Sequence, residues 1–255
     1  MADIDVAHIE DISDDEAEAT GAKPRRSIWE EIRGLLGVLL LVFLLRTFVF
    51  QPFTIPSASM EPGLVEGDYI IVSKFATGYG EYAAWPLPFP FGERDRVLKR
   101  GAERGDVIVF RPAGVERDYI KRIVGQPGDT VEVRDHRVFV NGEIVPQNGD
   151  GPVFTETLSG DTYQVKHNSA PLPNLSAPDG VFAVPPGFYF VLGDNRDNSL
   201  DSRVGVQANG AGLVPSARIV GEAKFVLLSV KPEFSLLRPW TWYQVRGDRW
   251  FKGIE

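Results

Sequence analysis

Apolar and polar positions alternate in two different regimes along this chain. Leu35-Leu36-Gly37-Val38-Leu39-Leu40-Leu41-Val42-Phe43-Leu44-Leu45 is unbroken. Phe48-Val49-Phe50 resumes the run after Arg46-Thr47. Taken from Ile32 to Phe50, this is about the roughly 20 residues that a helix needs to cross a bilayer. Arg46 falls near one end, where its stem can snorkel to the interface. Lys23, Arg25, Arg26 and Arg33 precede the run, and the next basic residue after Arg46 is Lys74. The positive-inside rule then predicts a cytoplasmic N-terminus and an extracytoplasmic remainder. Two other readings stand beside the anchor: a buried core helix, and a cleavable signal peptide with Ser57-Ala58-Ser59 as its small-x-small site.

Beyond residue 60 the period changes to that of strands. Tyr69-Ile70-Ile71-Val72, Val107-Ile108-Val109-Phe110 and Thr130-Val131-Glu132-Val133 each follow a Gly-Asp pair, which reads as a tight turn opening a strand. Asn141-Gly142 between Val138-Phe139-Val140 and Glu143-Ile144-Val145 is a hairpin signal. Phe188 to Leu192 and Ala223 to Leu228 complete the apolar runs, and no long stretch here has helical periodicity. Two proline-rich stretches interrupt the pattern, Gly78 to Phe91 and Asn148 to Pro186. The second reads as a small subdomain or a long excursion from the sheet.

Charge divides the chain again. Residues 1–20 hold eight of its 35 carboxylates and neither Lys nor Arg; the remaining 27 acidic groups balance 27 basic ones. The acidic segment reads as a disordered tail. The balanced body gives no support for nucleic-acid binding. With no cysteine, disulfides and thiol catalysis are excluded and a structural zinc site is disfavoured.

Three segments carry candidate chemistry. Ser59 lies in Pro56-Ser57-Ala58-Ser59-Met60-Glu61-Pro62, where two prolines restrict the loop. A serine nucleophile needs a base. The three histidines sit in charged or polar surroundings that predict exposure: His8 in the acidic tail, His136 in Arg134-Asp135-His136-Arg137, and His167 in the polar excursion. Lys121 differs. On a strand it shares a face with Tyr119 and Ile123, while Arg122 points the other way with Ile120 and Val124. A lysine among apolar neighbours has a lowered pKa and, once neutral, accepts a hydroxyl proton. The competing reading is an edge-strand lysine that blocks aggregation. The third segment, Gly193-Asp194-Asn195-Arg196-Asp197-Asn198-Ser199-Leu200-Asp201-Ser202-Arg203, lacks the glycine and glutamate positions of a calcium loop and reads as a network of ion pairs.

These segments, in this order behind an apolar run, resemble the bacterial type I signal peptidase (leader peptidase) family. The motifs are Gln51 to Met60, Arg104-Gly105-Asp106-Val107-Ile108-Val109-Phe110, Tyr119 to Asp129, and Gly193 to Arg203. The resemblance implies Ser59 as nucleophile and Lys121 as general base. It implies an oxyanion hole from the Ser57 hydroxyl and the Ser59 N–H, and Ser199 as the group that orients the lysine. Arg122 with Asp194, and Asp201 with Arg203, resemble the family's supporting charged pairs. Met60 matches a residue packed beside the nucleophile. The family usually has Gly where Ala58 stands and Thr where Gly63 stands.

The expected fold is mainly β: one N-terminal transmembrane helix, then an antiparallel sheet or barrel-like catalytic domain with an inserted β-rich excursion. The expected organisation is a tail over 1–26, an anchor over 27–50 and an extracytoplasmic domain over 51–255, with the excursion at about 148–186. The resemblance implies a serine endopeptidase of the inner membrane, with its catalytic domain on the outer face. It removes signal peptides from exported preproteins and needs no cofactor or metal. Its partners are signal peptides and the lipid bilayer. Strands such as Tyr69–Val72 are candidates for pairing an extended substrate, and Trp85, Phe89, Phe91, Trp240 and Trp242 for contact with lipid. The alternatives are a specialised serine–lysine peptidase of the same fold, and a non-catalytic, membrane-anchored binding domain.

Overall fold

The computed structural model of the 255-residue chain describes residues 28–80, 82–83, 101–167 and 178–254. The expected acidic tail, Trp85, Phe89 and Phe91 lie outside the described residues, as does part of the Asn148–Pro186 stretch. The chain divides into two units, residues 1–41 and 42–255.

In chain order the elements are α1 (Ile28–Phe48), β1 (Phe50–Thr54), β2 (Asp68–Ser73), α2 (Lys74–Thr77), β3 (Val107–Phe110), β4 (Tyr119–Gly125), β5 (Thr130–Arg134), β6 (Arg137–Val140), β7 (Glu143–Ile144), β8 (Gln147–Asn148) and β9 (Val153–Leu158). They continue with β10 (Asp161–Lys166), β11 (Gly180–Ala183), β12 (Phe188–Leu192), β13 (Val214–Pro215), β14 (Ile219–Ser229) and β15 (Lys252–Gly253). The architecture is mainly β and antiparallel.

Helix α1 exposes apolar side chains along its length, from Ile28 to Leu45. Glu30, Glu31, Arg33 and Arg46 leave only Gly34 to Leu45 without charge. At 1.5 Å per residue that stretch covers about 18 Å, against a hydrocarbon layer of about 30 Å. No helix among the described residues is long and apolar enough, at this charge content, to cross a membrane.

The Gly-Asp pairs share one turn geometry. Gly67, Gly105 and Gly128 have φ of +88°, +99° and +94°. The N–H of the aspartate that follows bonds the carbonyl three residues back: Asp68 to Val65, Asp106 to Glu103, and Asp129 to Gln126. Each aspartate carboxylate in turn accepts that residue's N–H, at 2.9, 2.7 and 2.6 Å. A positive φ at the third position is what a type II turn demands of glycine. Asn141 and Gly142 both have positive φ, as a type I′ hairpin requires.

Among the described residues the large sheet runs β1-β2-β14-β3-β4-β12-β13, with β15 on β14. Strand β2 is therefore flanked on both sides, by β1 and β14. This corrects the expectation that Tyr69–Val72 offers an edge to substrate: β14, far along the chain, fills that place. Two smaller sheets, β11-β5-β6-β7 and β10-β9-β8, divide the Asn148–Pro186 stretch between them. Both share one core with the large sheet, in which Val131, Val140, Leu158, Val165, Phe190 and Leu192 pack together.

Candidate active site

Ser59 sits in a single 3-10 turn, Ala58–Met60, a few residues after β1. Met60 is fully buried beneath it, with Ile55, Leu64 and Ile70 in the same cluster. Lys121 comes from β4, opposite Ile108 of β3. The Lys121 Nζ lies 2.8 Å from Ser59 Oγ, and it donates to the Ile120 carbonyl at 2.7 Å. Both residues are buried, Lys121 at 4% exposure and Ser59 at 8%. Burial pushes the Lys121 amine down from 10.5 to about 8, against the opposing pull of the Asp201 and Asp194 carboxylates.

One other lysine is buried among the described residues, Lys74, whose burial and the nearby Arg46 charge bring it to about 8. Its amine donates to the Thr47 carbonyl at 3.1 Å, in the last turn of α1, a helix-capping contact. The hydroxyl neighbour distinguishes Lys121.

The Ser57 Oγ stands 3.4 Å from Ser59 Oγ. Ser57, Ser59, Tyr119, Lys121, Asn198 and Leu200 line part of a cleft of about 340 Å³. Strand β12 pairs with β4 only from Arg122 to Gly125, and β3 pairs with β4 from Tyr119 to Arg122. Tyr119 to Lys121 thus have no described partner strand on the β12 side, where β4 meets the cleft.

The segment after β12 is a lattice of buried charge. Arg122 Nε and Nη2 donate to Asp194 Oδ1 and Oδ2 at 2.9 and 2.8 Å, and Nη1 donates to the Gly105 carbonyl at 2.8 Å. Arg203 Nε and Nη2 donate to the two Asp201 oxygens at 2.9 Å each. The Gly193 N–H reaches Asp201 Oδ2 at 3.1 Å. Such forked pairs fix orientation as well as charge. Ser199 is 1% exposed, and its hydroxyl has no hydrogen-bond partner among the described residues. The contact with Lys121 that the family resemblance implies is therefore not formed here. Gly193 has no room for a side chain: a Cβ there would lie 2.2 Å from Ser199 Oγ and 2.5 Å from the Ser59 carbonyl oxygen.

Several residues the sequence did not single out hold the Ser59 turn. Asn195 Nδ2 donates to the Ala58 carbonyl at 3.0 Å, and the Asn195 N–H donates to the Ser59 carbonyl at 3.1 Å. Lys166 at the end of β10 donates to Glu61 Oε2 at 2.8 Å. Its backbone bonds Asp194 and Arg196 on either side. Arg196 and Glu156 form a third buried forked pair, with the Tyr163 hydroxyl donating to Glu156 at 3.0 Å. The arginine and asparagine density of Gly193 to Arg203 was the visible signal; the partners lie far away in sequence. His167 departs from expectation too. It is buried at 8% exposure, because β9, β10 and the loop holding Asp197 close around it.

The family "Signal peptidase, peptidase S26" matches residues 28–228. A signal peptidase I of Rickettsia typhi is 33% identical over 259 residues, covering 91% of this chain and 96% of that protein. One from Pseudomonas fluorescens is 38% identical over 207 residues, covering 75% of this chain and 69% of that protein. A crystal structure of a signal peptidase I from Enterococcus faecalis is 26% identical, covering 48% of this chain and 97% of that one. Its TM-score of 0.32 is too low to inform the fold. The extent of the family match, and the identity sustained over most of the chain, mean that this protein belongs to the signal peptidase I family of enzymes.

Proposed function

We propose that this enzyme is a membrane-anchored serine endopeptidase that removes signal peptides from exported preproteins, with Ser59 as nucleophile and Lys121 as general base. The observation that carries the reading is the 2.8 Å approach of a buried lysine amine to a buried serine hydroxyl. A neutral amine has one lone pair and two N–H bonds. The lone pair takes the Ser59 proton as Oγ attacks the substrate carbonyl, and one N–H stays on the Ile120 carbonyl. The second N–H can turn to Ser199, whose hydroxyl is buried and has no partner among the described residues. The protonated amine then passes its proton to the leaving nitrogen as the C–N bond breaks, and water hydrolyses the acyl-enzyme. The Ser57 hydroxyl and the Ser59 N–H serve as oxyanion donors, each worth roughly 3 kcal/mol in the transition state. The pairs Arg122–Asp194 and Asp201–Arg203 hold the surrounding segment rigid. An extended substrate adds along Tyr119 to Lys121, where β4 has no described partner strand on the cleft side.

The anchor rests on the apolar surface of α1. Its uncharged stretch, Gly34 to Leu45, covers only about 18 Å, so the span depends on the arginine stems at its two ends. Arg33 and Arg46 bracket the uncharged stretch closely enough for their stems to extend toward the two interfaces. Basic residues before the helix favour a cytoplasmic N-terminus and a catalytic domain on the outer face of the inner membrane. Trp240 and Trp242, 72% and 55% exposed, are suited to the lipid interface.

The test uses the purified full chain in detergent with a preprotein substrate. Ser59→Ala and Lys121→Ala should each abolish cleavage while circular dichroism and melting temperature show an intact fold. Cleavage persisting in either folded variant would leave the non-catalytic binding domain, or a different nucleophile, as the better reading. For the anchor, Leu40→Glu places a charge at mid-helix, at a cost of about 3 kcal/mol. It should move the chain from the carbonate-resistant membrane fraction to the soluble one; unchanged fractionation would argue against the span.

A further inference from the structure

Away from Ser59, three potential metal ligands converge from three separate parts of the chain. His136 lies in the β5–β6 turn with φ of +61°. His167 follows β10, and Asp197 belongs to the segment after β12. The two Nδ1 atoms are 3.1 Å apart. His136 Nδ1 is 3.5 Å from Asp197 Oδ1, and His167 Nδ1 is 3.9 Å from Asp197 Oδ2. Around tetrahedral zinc, with bonds of about 2.0–2.1 Å, neighbouring ligand atoms stand about 3.3 Å apart. The two rings face different oxygens of Asp197, and one ligand atom from each residue lies within 4.8 Å of the others, so the exposed His136 ring has to close in on the ion to reach that edge length. We propose that His136, His167 and Asp197 bind a Zn²⁺ ion, with water completing the tetrahedron.

The surroundings suit this assignment. His167 is buried, and its ring presents a nitrogen toward both His136 and Asp197. Its other nitrogen, Nε2, is 3.0 Å from the Gln147 side-chain amide. With Nδ1 on the metal, Nε2 carries the hydrogen. The Gln147 carboxamide then turns over to accept it, since its two ends are alike in shape, and gives up its long 3.4 Å bond to Glu156 Oε1. Outer partners of this kind fix the ring and the tautomer of ligating histidines. His136 is 60% exposed, and both histidines line a cleft of about 300 Å³ that admits the ion and its water. Two cations are near. Arg196 is neutralised by its forked pair with Glu156, while Arg137 lies in the same cleft and donates to the Gln147 carbonyl at 3.4 Å. Without metal the two rings share an Nδ1–Nδ1 hydrogen bond, which the ion would replace. The absence of cysteine argues against the commonest structural zinc sites, but not against two imidazoles and a carboxylate. The ion would tie the β5–β6 turn and β10 to the segment that also carries Ser199.

The experiment uses untagged full chain in detergent, stripped of metal with a chelator. Zn²⁺ is titrated by calorimetry, and Co²⁺ serves as a visible-absorption probe of tetrahedral coordination. The expected result is one equivalent bound, a tetrahedral Co²⁺ spectrum and a higher melting temperature with Zn²⁺. His136→Ala, at an exposed turn, should fold normally and weaken binding by more than the about 10–100-fold that follows loss of an outer partner. His8→Ala should leave binding unchanged, which separates this site from adventitious binding by the acidic tail. No saturable binding by the wild type, equal affinity in His136→Ala, or loss of binding in His8→Ala would each overturn the proposal.

Discussion

At the residue scale, the position of the proposed nucleophile depends on what grips its backbone. Ser59 sits in a one-turn 3-10 element that is too short to hold itself. Asn195 supplies two bonds to that turn, one from its side chain and one from its N–H. Asn195→Ala keeps the second and removes the first. One neutral hydrogen bond is worth about 1 kcal/mol, so the melting temperature should fall by about 2–4 °C, and kcat by up to about fivefold with KM nearly unchanged as the loosened turn misplaces Ser59. Unchanged turnover would mean that the turn is held without this side chain. None of this was legible in the sequence, because Ala58 and Asn195 are 137 residues apart. Alternation along Tyr119 to Val124 did read correctly that Lys121 and Arg122 face opposite ways. Both are nevertheless buried, because each face is covered: Lys121 by the Ser59 loop, Arg122 by Asp194 and Tyr163.

At the scale of elements, local chemistry was readable and pairing was not. The Gly-Asp turns and the Asn141-Gly142 hairpin depend on backbone angles that few residues adopt, so their sequence is specific. The insertion of β14 between β2 and β3 is a long-range choice that no local pattern encodes, and it removed the substrate edge expected at Tyr69–Val72. Likewise, the proline-rich Asn148–Pro186 stretch looked like a separate excursion, yet its strands share a core with β5, β6 and β12. The Arg196–Glu156 pair, with Tyr163, joins β9 and β10 to the segment after β12. Glu156→Gln leaves the Arg196 charge buried without its counter-ion, which should cost about 3–5 kcal/mol. For a domain of this size the melting temperature should drop by about 6–20 °C. Replacing both residues with apolar ones of similar volume should recover much of that loss. A drop of less than about 2 °C in the single variant would show that the pair does not bind these elements together.

At the scale of the whole molecule, a sheet and two smaller sheets bring three sequence motifs to one cleft and a fourth behind it, each supplying a different part. Gln51 to Met60 gives the hydroxyl, and β4 gives the amine and a strand side with no partner among the described residues. Arg104 to Phe110 gives the Gly105 carbonyl that holds Arg122, and Gly193 to Arg203 gives the charged frame. The order of these motifs made the family readable; their convergence needed the fold. The cost of this design is a lysine kept from water. At pH 7 an amine at about 8 is neutral in only about one molecule in ten. Deprotonation, and with it activity, should therefore increase on the alkaline side. The most direct measurement is kcat/KM of the full chain in detergent on a preprotein substrate across pH 6 to 10. The prediction is a rise approaching tenfold per pH unit that bends to a plateau near pH 8. A flat profile, or a midpoint between about 6 and 7 where a histidine titrates, would contradict the assignment of Lys121 as the base.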